Sequence, residues 1–371
     1  MKHREHPWMG VFAATLCAFR EDESIDEDGL RGYFRELCGV PGLKGLVCNG
    51  HTGEIMALQP EERAKVTGIL AEVVRDDPRN GLTECGGNGV GGKKNTDTPT
   101  RPHSHTRPKV ISGVAAEGSL VAIEHALAAK EAGADAILLM PPHHWLRFGR
   151  SKTETVGFMR DVAEGADIDI IVHQYPAWTK AGYTLEEMLE MVKIPRVVCI
   201  KMGTRDMARW LWDYEQLKAA RPDLSIITCH DEYLLPTLLE AGDGALIGFA
   251  GFAPELMIEL VHACIEGDLK RAKEAQRTVA PLARLIYNFG EPGCGAHQRM
   301  KVARWLMGTF PSPMFRRPVR PLSEEAVEGL RKGLREIGLQ VVRQAGAADP
   351  SDPTDRTDHG KKVQDREKES P

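Results

Sequence analysis

No apolar run in this 371-residue chain approaches the roughly 20 residues of a membrane span. The opening stretch Met1-Lys-His-Arg-Glu-His-Pro-Trp8 lacks the apolar core of a secretory signal, and it is short for a transit peptide. Neither sign of charge dominates. The net charge is −5 with both signs dispersed, so nothing marks a nucleic-acid or membrane-surface partner. The eight cysteines (Cys17, Cys38, Cys48, Cys85, Cys199, Cys229, Cys264 and Cys294) have no paired spacing. Several sit inside apolar runs, as small core residues do in a reducing compartment. The cytoplasm is the expected location.

What the chain does have is a repeat of apolar runs and helical patterns. Strands are expected at Val11–Cys17, Gly45–Asn49, Lys109–Val114, Ala134–Met140 and Ile168–Tyr175. Three more follow, at Val197–Lys201, Leu224–Cys229 and Ala245–Phe249. Helices fall between them, at Asp26–Cys38, Pro60–Val74, Ser119–Ala132, Lys152–Gly165, Leu185–Val192, Asp206–Ala220, Glu232–Ala241 and Pro254–Gly267. Eight strands, each followed by a helix, define an α/β chain of the (β/α)8 TIM barrel type. The competing doubly wound open sheet would carry a Gly-x-Gly-x-x-Gly turn after its first strand, and none is present.

The expected organisation is an arm over 1–10, a barrel over 11–267, a C-terminal helical extension over 268–344 and a disordered tail over 345–371. Residues 79–108 interrupt the barrel with Gly, Pro and Asn and almost no large apolar side chains. They lie between the second helix and the third strand, on the face where such barrels do no chemistry. His103 and His105 in that stretch lack a further ligand at useful spacing, so they are not read as a metal pair.

The run Val197-Val-Cys-Ile200 reads as a strand buried on both faces, and it ends on Lys201. Packing alone seldom places a lysine there, because desolvating an ammonium is expensive. Burial lowers the pKa of such an amine, and a neutral amine is what a Schiff-base nucleophile requires. The plainer alternative is a lysine that snorkels to the rim or pairs with a carboxylate.

Residues just past the strands of a barrel share one mouth. Here they are His51, Thr52 and Glu54, then His143, His144 and Trp145, then His173 and Tyr175, then Lys201 and His230. His173 and Tyr175 are two apart and so share a face. Gly50 and Gly53 flank a tight turn whose backbone N–H groups suit an anion. A carboxylate held there, with its carbonyl turned to a neutral lysine, describes a 2-oxo acid forming an imine, and a nearby hydroxyl or imidazole would move the protons.

With Gly50-His-Thr-Gly-Glu54, Pro141-Pro-His-His144, Tyr175-Pro176 and Ile200-Lys201 in that order and spacing, the chain resembles the dihydrodipicolinate synthase/N-acetylneuraminate lyase superfamily over residues 8–340. The resemblance implies Schiff-base chemistry on pyruvate or a related 2-oxo acid, without metal or organic cofactor, in a homodimer or homotetramer. It implies Lys201 as the imine-forming residue, and Thr52 with its flanking amides as the carboxylate site. His51, Gly53, His143 and Leu246 are the other expected substrate contacts. There are departures. His51 stands where the family carries Thr or Ser. His173 takes the place of the relay tyrosine and is the favoured relay, with Tyr175 beside it. Trp178 replaces the arginine that holds the true synthase's second substrate. These changes point to an aldolase or dehydratase acting on another 2-oxo acid.

Two other readings compete. The histidines at strand ends suggest a metal-dependent barrel hydrolase, but strand 1 ends without His-x-His and no Asp ends strand 8. The altered relay also leaves room for a barrel that has lost catalysis and only binds. His230-Asp231 is read as a cap for the helix that follows.

Overall fold

A computed structural model describes residues 6–78, 107–232, 234–287 and 295–343. The strands are β1 (Gly10–Ala14), β2 (Leu43–Cys48), β3 (Lys109–Val114), β4 (Ala136–Leu139), β5 (Asp169–Gln174), β6 (Val197–Met202), β7 (Ser225–Thr228) and β8 (Gly244–Ile247), and they close in that order into a parallel barrel. Around them run α1 (Glu27–Cys38), α2 (Pro60–Arg75), α3 (Ser119–Glu131), α4 (Trp145–Phe148), α5 (Lys152–Ala166), α6 (Pro176–Thr179) and α7 (Leu185–Met191). The circuit continues with α8 (Met207–Ala220), α9 (Leu234–Glu240) and α10 (Pro254–Ile265). Beyond the barrel come α11 (Leu269–Tyr287), α12 (Ala296–Leu306) and α13 (Glu324–Ile337).

The strands are mostly apolar because both of their faces are buried. Phe12, Val47, Ile111, Leu138, Ile171, Cys199, Ile227 and Leu246 fill the barrel interior, while residues one step away, such as Leu46, Ile137, Val172 and Ile200, pack against the helices. Closure depends on a close approach at β1 and β8. A Cβ on Gly244, whose φ is +150°, would lie 2.0 Å from the Gly10 carbonyl oxygen. Side-chain caps set the helix starts, with Ser151 and Glu154 opening α5 and Thr184 and Glu187 opening α7 as reciprocal boxes.

Most expected elements are present, with differences at their ends. β1 stops at Ala14 and β8 at Ile247, so Thr15–Cys17 and Gly248–Phe249 belong to the mouth instead of the strands. The short helices α4 and α6 had no strong pattern to announce them. The helical extension expected after the barrel is present as α11, α12 and α13. The stretch 79–106, with its His103 and His105, and the tail from 344 lie outside the described residues, as does the side chain of Trp178.

α12 and the irregular segment after it are tied to the barrel by cations that are largely buried. Arg304 donates to the Phe252 carbonyl at 2.8 Å and pairs with Glu36 at 2.7 Å. Arg316 binds Glu62 through both terminal nitrogens and donates to the carbonyls of Glu23 and Ala57. The helical extension thereby covers one side of the barrel mouth.

Candidate active site

A cleft of about 850 Å³ opens at the C-terminal ends of the strands, within the range usual for small-molecule sites. Its wall includes His51, Thr52, His143, Tyr175, Lys201 and Leu246. Lys201 and the glycine-flanked turn therefore share one chamber. A smaller cavity of about 230 Å³, lined by Arg31, Arg35, Val73 and Asp76, sits between α1 and α2 on the outside of the barrel.

Parallel register places Lys201 directly beside His173, since the two are paired across β5 and β6. Lys201 Nζ is 3.5 Å from His173 Nε2, and the amine keeps a partial opening into the cleft while protein surrounds the rest of the side chain. Burial lowers the pKa of Lys201 below its usual value, against a smaller opposing pull from Cys229 and the Asp231 carboxylate. His173 is fully buried behind the cleft wall. Burial first, then the neighbouring Lys201, His51 and His143, hold its pKa well below the usual range. His51 is open to the cleft, yet crowding by protein and by Lys201 lowers its pKa to about 4. Neutral imidazoles thus flank the amine. The His51 and His173 rings lie 5.3 Å apart, and the Tyr175 ring meets His173 edge-on at 5.8 Å.

The turn after β2 is wound tightly. Gly53 and Ile55 amides both donate to the Gly50 carbonyl, at 3.1 and 3.2 Å, and Glu54 N–H donates to His51 O at 3.0 Å. Among the described residues the amides of His51 and Thr52 and the Thr52 hydroxyl take no partner, which leaves three donors for an anion. Gly53 closes the turn and is buried; it does not face the cleft. Glu54, at φ 57°, turns inward to an ion pair with Lys301 of α12. Both side chains are almost wholly buried, and Lys301 also donates to the Met314 carbonyl at 2.8 Å. Phe19 and Phe315 cover its ammonium at 4.8 and 4.4 Å from their ring centres.

His143 stands at the rim, with its backbone N–H on Glu117 at 2.9 Å. Leu246 is part of the inner layer and forms cleft floor. His230 is fully buried, and burial lowers its pKa to about 4. Asp231 differs from its expected role as a cap for the next helix. Its carboxylate accepts the Phe249 N–H at 2.8 Å and the Tyr287 hydroxyl at 2.6 Å, so it braces the end of β8 and draws α11 to the mouth. Burial raises its pKa to about 6.

Sequence reading missed Tyr287, Lys301, Arg205 and the structural part of Asp231. Arg205 follows β6, and its Nη2 lies 3.5 Å from the Tyr175 hydroxyl while Nη1 meets Glu232 at 2.6 Å. Its position four residues past the lysine was the one available signal. Among the described residues no group of three or more His, Cys, Asp or Glu side chains is arranged to hold a metal ion. No helix among them is long and apolar enough to cross a membrane.

A closed parallel barrel with a desolvated lysine at a strand end, facing unpaired turn amides, is the arrangement of a barrel lyase that works through an amine. The chain belongs to the dihydrodipicolinate synthetase family, whose model matches residues 99–337. It is a divergent member. It is 28% identical to a 4-hydroxy-tetrahydrodipicolinate synthase from Methanothrix thermoacetophila, over 88% of this chain and 96% of that one. It is 27% identical to an uncharacterized DapA-like lyase from Thermofilum pendens, over 90% and 98%. A prophage protein of the dihydrodipicolinic acid synthase family from E. coli, solved in complex with pyruvate, has the same fold. Its TM-score is 0.74 at 23% identity, with 90% of this chain and 99% of that one covered. A monomeric dihydrodipicolinate synthase variant gives 0.75 at 22%, over 90% and 98%.

Proposed function

We propose that the protein is a Schiff-base-forming lyase or aldolase, or a dehydratase, that acts on pyruvate or a related 2-oxo acid. The observation that carries this reading is Lys201, an amine with a depressed pKa inside the cleft that also holds the unpaired amides of His51 and Thr52. The 2-oxo acid carboxylate sits on those amides and the Thr52 hydroxyl. Its carbonyl then meets Lys201, with His51, His143 and Leu246 shaping the surroundings and Gly53 holding the turn from behind. His173 and Tyr175 handle the protons. The imine is itself the electron sink, so the chemistry calls on no cofactor.

Proton addition and removal at the amine favours neutral neighbours, and the buried imidazoles supply them. With His143 at the rim and Trp178 at the position of the synthase's arginine, the acceptor differs from that of the true synthase. Exposed apolar side chains, Leu120, Val121 and Leu127 on α3 and Leu146 and Phe148 on α4, are surface that a homodimer or homotetramer would cover. A cytoplasmic enzyme divided into barrel, insert, helical extension and tail fits the same reading.

Borohydride reduction in the presence of pyruvate tests it. The expected result is a stable mass increase on the peptide that carries Lys201. An unmodified Lys201 peptide, at pyruvate concentrations that saturate known aldolases, refutes it.

A further inference from the structure

Two side chains compete for the proton work beside Lys201, and the structure treats them differently. His173 is sealed from the cleft and faces Lys201, His51 and His143, and among the described residues no carboxylate hydrogen-bonds to it. Tyr175 lines the cleft. Its ring packs against Gly203, where a Cβ would come within 2.3 Å of Tyr175 Cδ2 and 2.9 Å of Cys229 Sγ. Gly203 is fixed in turn by its N–H on the Gln174 carbonyl at 2.5 Å. The ring is therefore held against the Gly203 backbone, with Cys229 and the His173 ring close by. At its hydroxyl stands Arg205, half-buried and braced by Glu232.

We propose that Arg205, held by Glu232, is a positioning residue that makes the Tyr175 phenol the acid–base group of the Lys201 imine chemistry. The inference rests on the function proposed above and deepens it. In the first step the Lys201 nitrogen bonds to the ketone carbon of the 2-oxo acid, and an N–H proton passes to the carbonyl oxygen. The carbinolamine C–O bond then breaks. Its hydroxyl leaves as water with the Tyr175 proton, giving an iminium and a phenolate. The phenolate next removes a proton from the carbon beside the iminium. That step yields a neutral enamine and restores the phenol.

The phenolate between these steps is the costly species. Burial drives the Tyr175 pKa up, and the Arg205 guanidinium pulls it back. A fixed cation at the oxygen where negative charge develops is the usual electrostatic remedy. Lysine is a weaker substitute, since it offers a point charge in place of the planar fork that reaches both Tyr175 and Glu232.

The test uses the full chain and pyruvate in D2O, with loss of the methyl proton signal reporting the enamine step without any acceptor. Arg205→Met is expected to slow exchange about 20-fold or more, while borohydride trapping at saturating pyruvate stays within about twofold. Arg205→Lys recovers only part of the rate. Tyr175→Phe loses at least as much as Arg205→Met, and the double variant is no slower than Tyr175→Phe alone, because Arg205 acts through the phenol. Additive losses, or exchange in Arg205→Met within twofold of the unaltered protein, overturn the inference. A parallel fall in trapping and melting temperature for both Arg205 variants also overturns it, since that is a purely structural role. If the unaltered protein forms no trapped adduct, the proposed function fails first and this inference with it.

Discussion

The chain buries two lysines near one cleft and uses them in opposite ways. Lys301 has a carboxylate, a backbone carbonyl and two aromatic faces around its ammonium. Lys201 has a neutral imidazole at 3.5 Å, and no carboxylate hydrogen-bonds to it among the described residues. Burial lowers the pKa of both, but at Lys301 the Glu54 charge and hydrogen bond work against that shift. A desolvated cation with its counter-charge is a joint; one without it is a reagent. The helical extension supplies the joint, and through Glu54 it fixes the turn that presents Thr52.

The sharpest way to break this contrast is to shorten each lysine. Lys201→Ala is expected to abolish borohydride trapping, with a melting temperature equal to or above that of the unaltered protein. The sign follows from linkage. A lysine whose folded pKa is lowered binds its proton less well folded than unfolded, so at neutral pH it costs stability, and that cost vanishes on its removal. Stability lost on removal would place Lys201 in the joint class.

Lys301→Met should move the other way. It strands Glu54 in a buried site, and breaking a buried pair costs about 3–5 kcal/mol. Trapping should persist, but the pyruvate concentration for half-saturation should rise, because the His51–Thr52 amides lose their anchor. Glu54→Gln combined with Lys301→Met should restore most of the stability. An unchanged half-saturation with a lowered melting temperature would separate the clamp from the site.

The two lysines also mark what was legible in the sequence. Lys201 stands out because it ends an apolar run where a charge has no packing reason to be. The barrel was legible for the same reason, since strands buried on both faces leave long apolar runs between glycines and prolines. Lys301 was invisible. It lies in Arg299-Met-Lys-Val-Ala-Arg304, where a basic residue beside apolar ones looks like the wet face of an amphipathic helix. Its partner is 247 residues away, and only closure of the barrel brings Glu54 to it. Asp231 with Tyr287, 56 residues apart, and Arg205 with Tyr175, 30 apart, were hidden in the same way, because only the fold brings them together. The glycine turn was legible in outline, but which of its amides stay unpaired depended on the backbone. His51 and Thr52 keep theirs, while Gly53 does not.

A smaller effect should appear with pH, in the neutral groups around Lys201. His230 has a folded pKa of about 4 against an unfolded 6.5, so the unfolded chain binds more protons between those values. Stability then falls as pH drops from about 6.5 towards 4, by up to roughly 3 kcal/mol for a fully buried imidazole. Asp231 opposes this. Its pKa is raised from 3.8 to about 6, so its contribution grows as pH falls through that window. His51, at about 4, and His173, shifted the same way, add to His230, and three imidazoles outweigh one carboxyl. The melting temperature should decline between pH 7 and 5, and less steeply in His230→Asn. A rise in that interval would mean that the cleft histidines are charged.

The smallest effect is expected at the opposite face of the barrel, on deleting residues 80–107. The segment joins the C-terminal end of α2 to the start of β3, while the cleft opens at the other ends of the strands. Deletion leaves Asp76, Asp77, Pro78, Arg79 and Pro108 between Arg75 and Lys109, a linker of five residues. That length is ordinary for a helix-to-strand connection in such units. The deletion removes Arg107 and its ion pair with Asp135, but Asp135 still accepts the Val110 N–H at 2.8 Å. An exposed pair of this kind contributes about 0–1 kcal/mol, so the melting temperature should fall only slightly. Trapping and proton exchange should match the unaltered protein. A folded deletion variant that no longer traps pyruvate would show that the two faces of the barrel are coupled and that the site extends beyond the cleft.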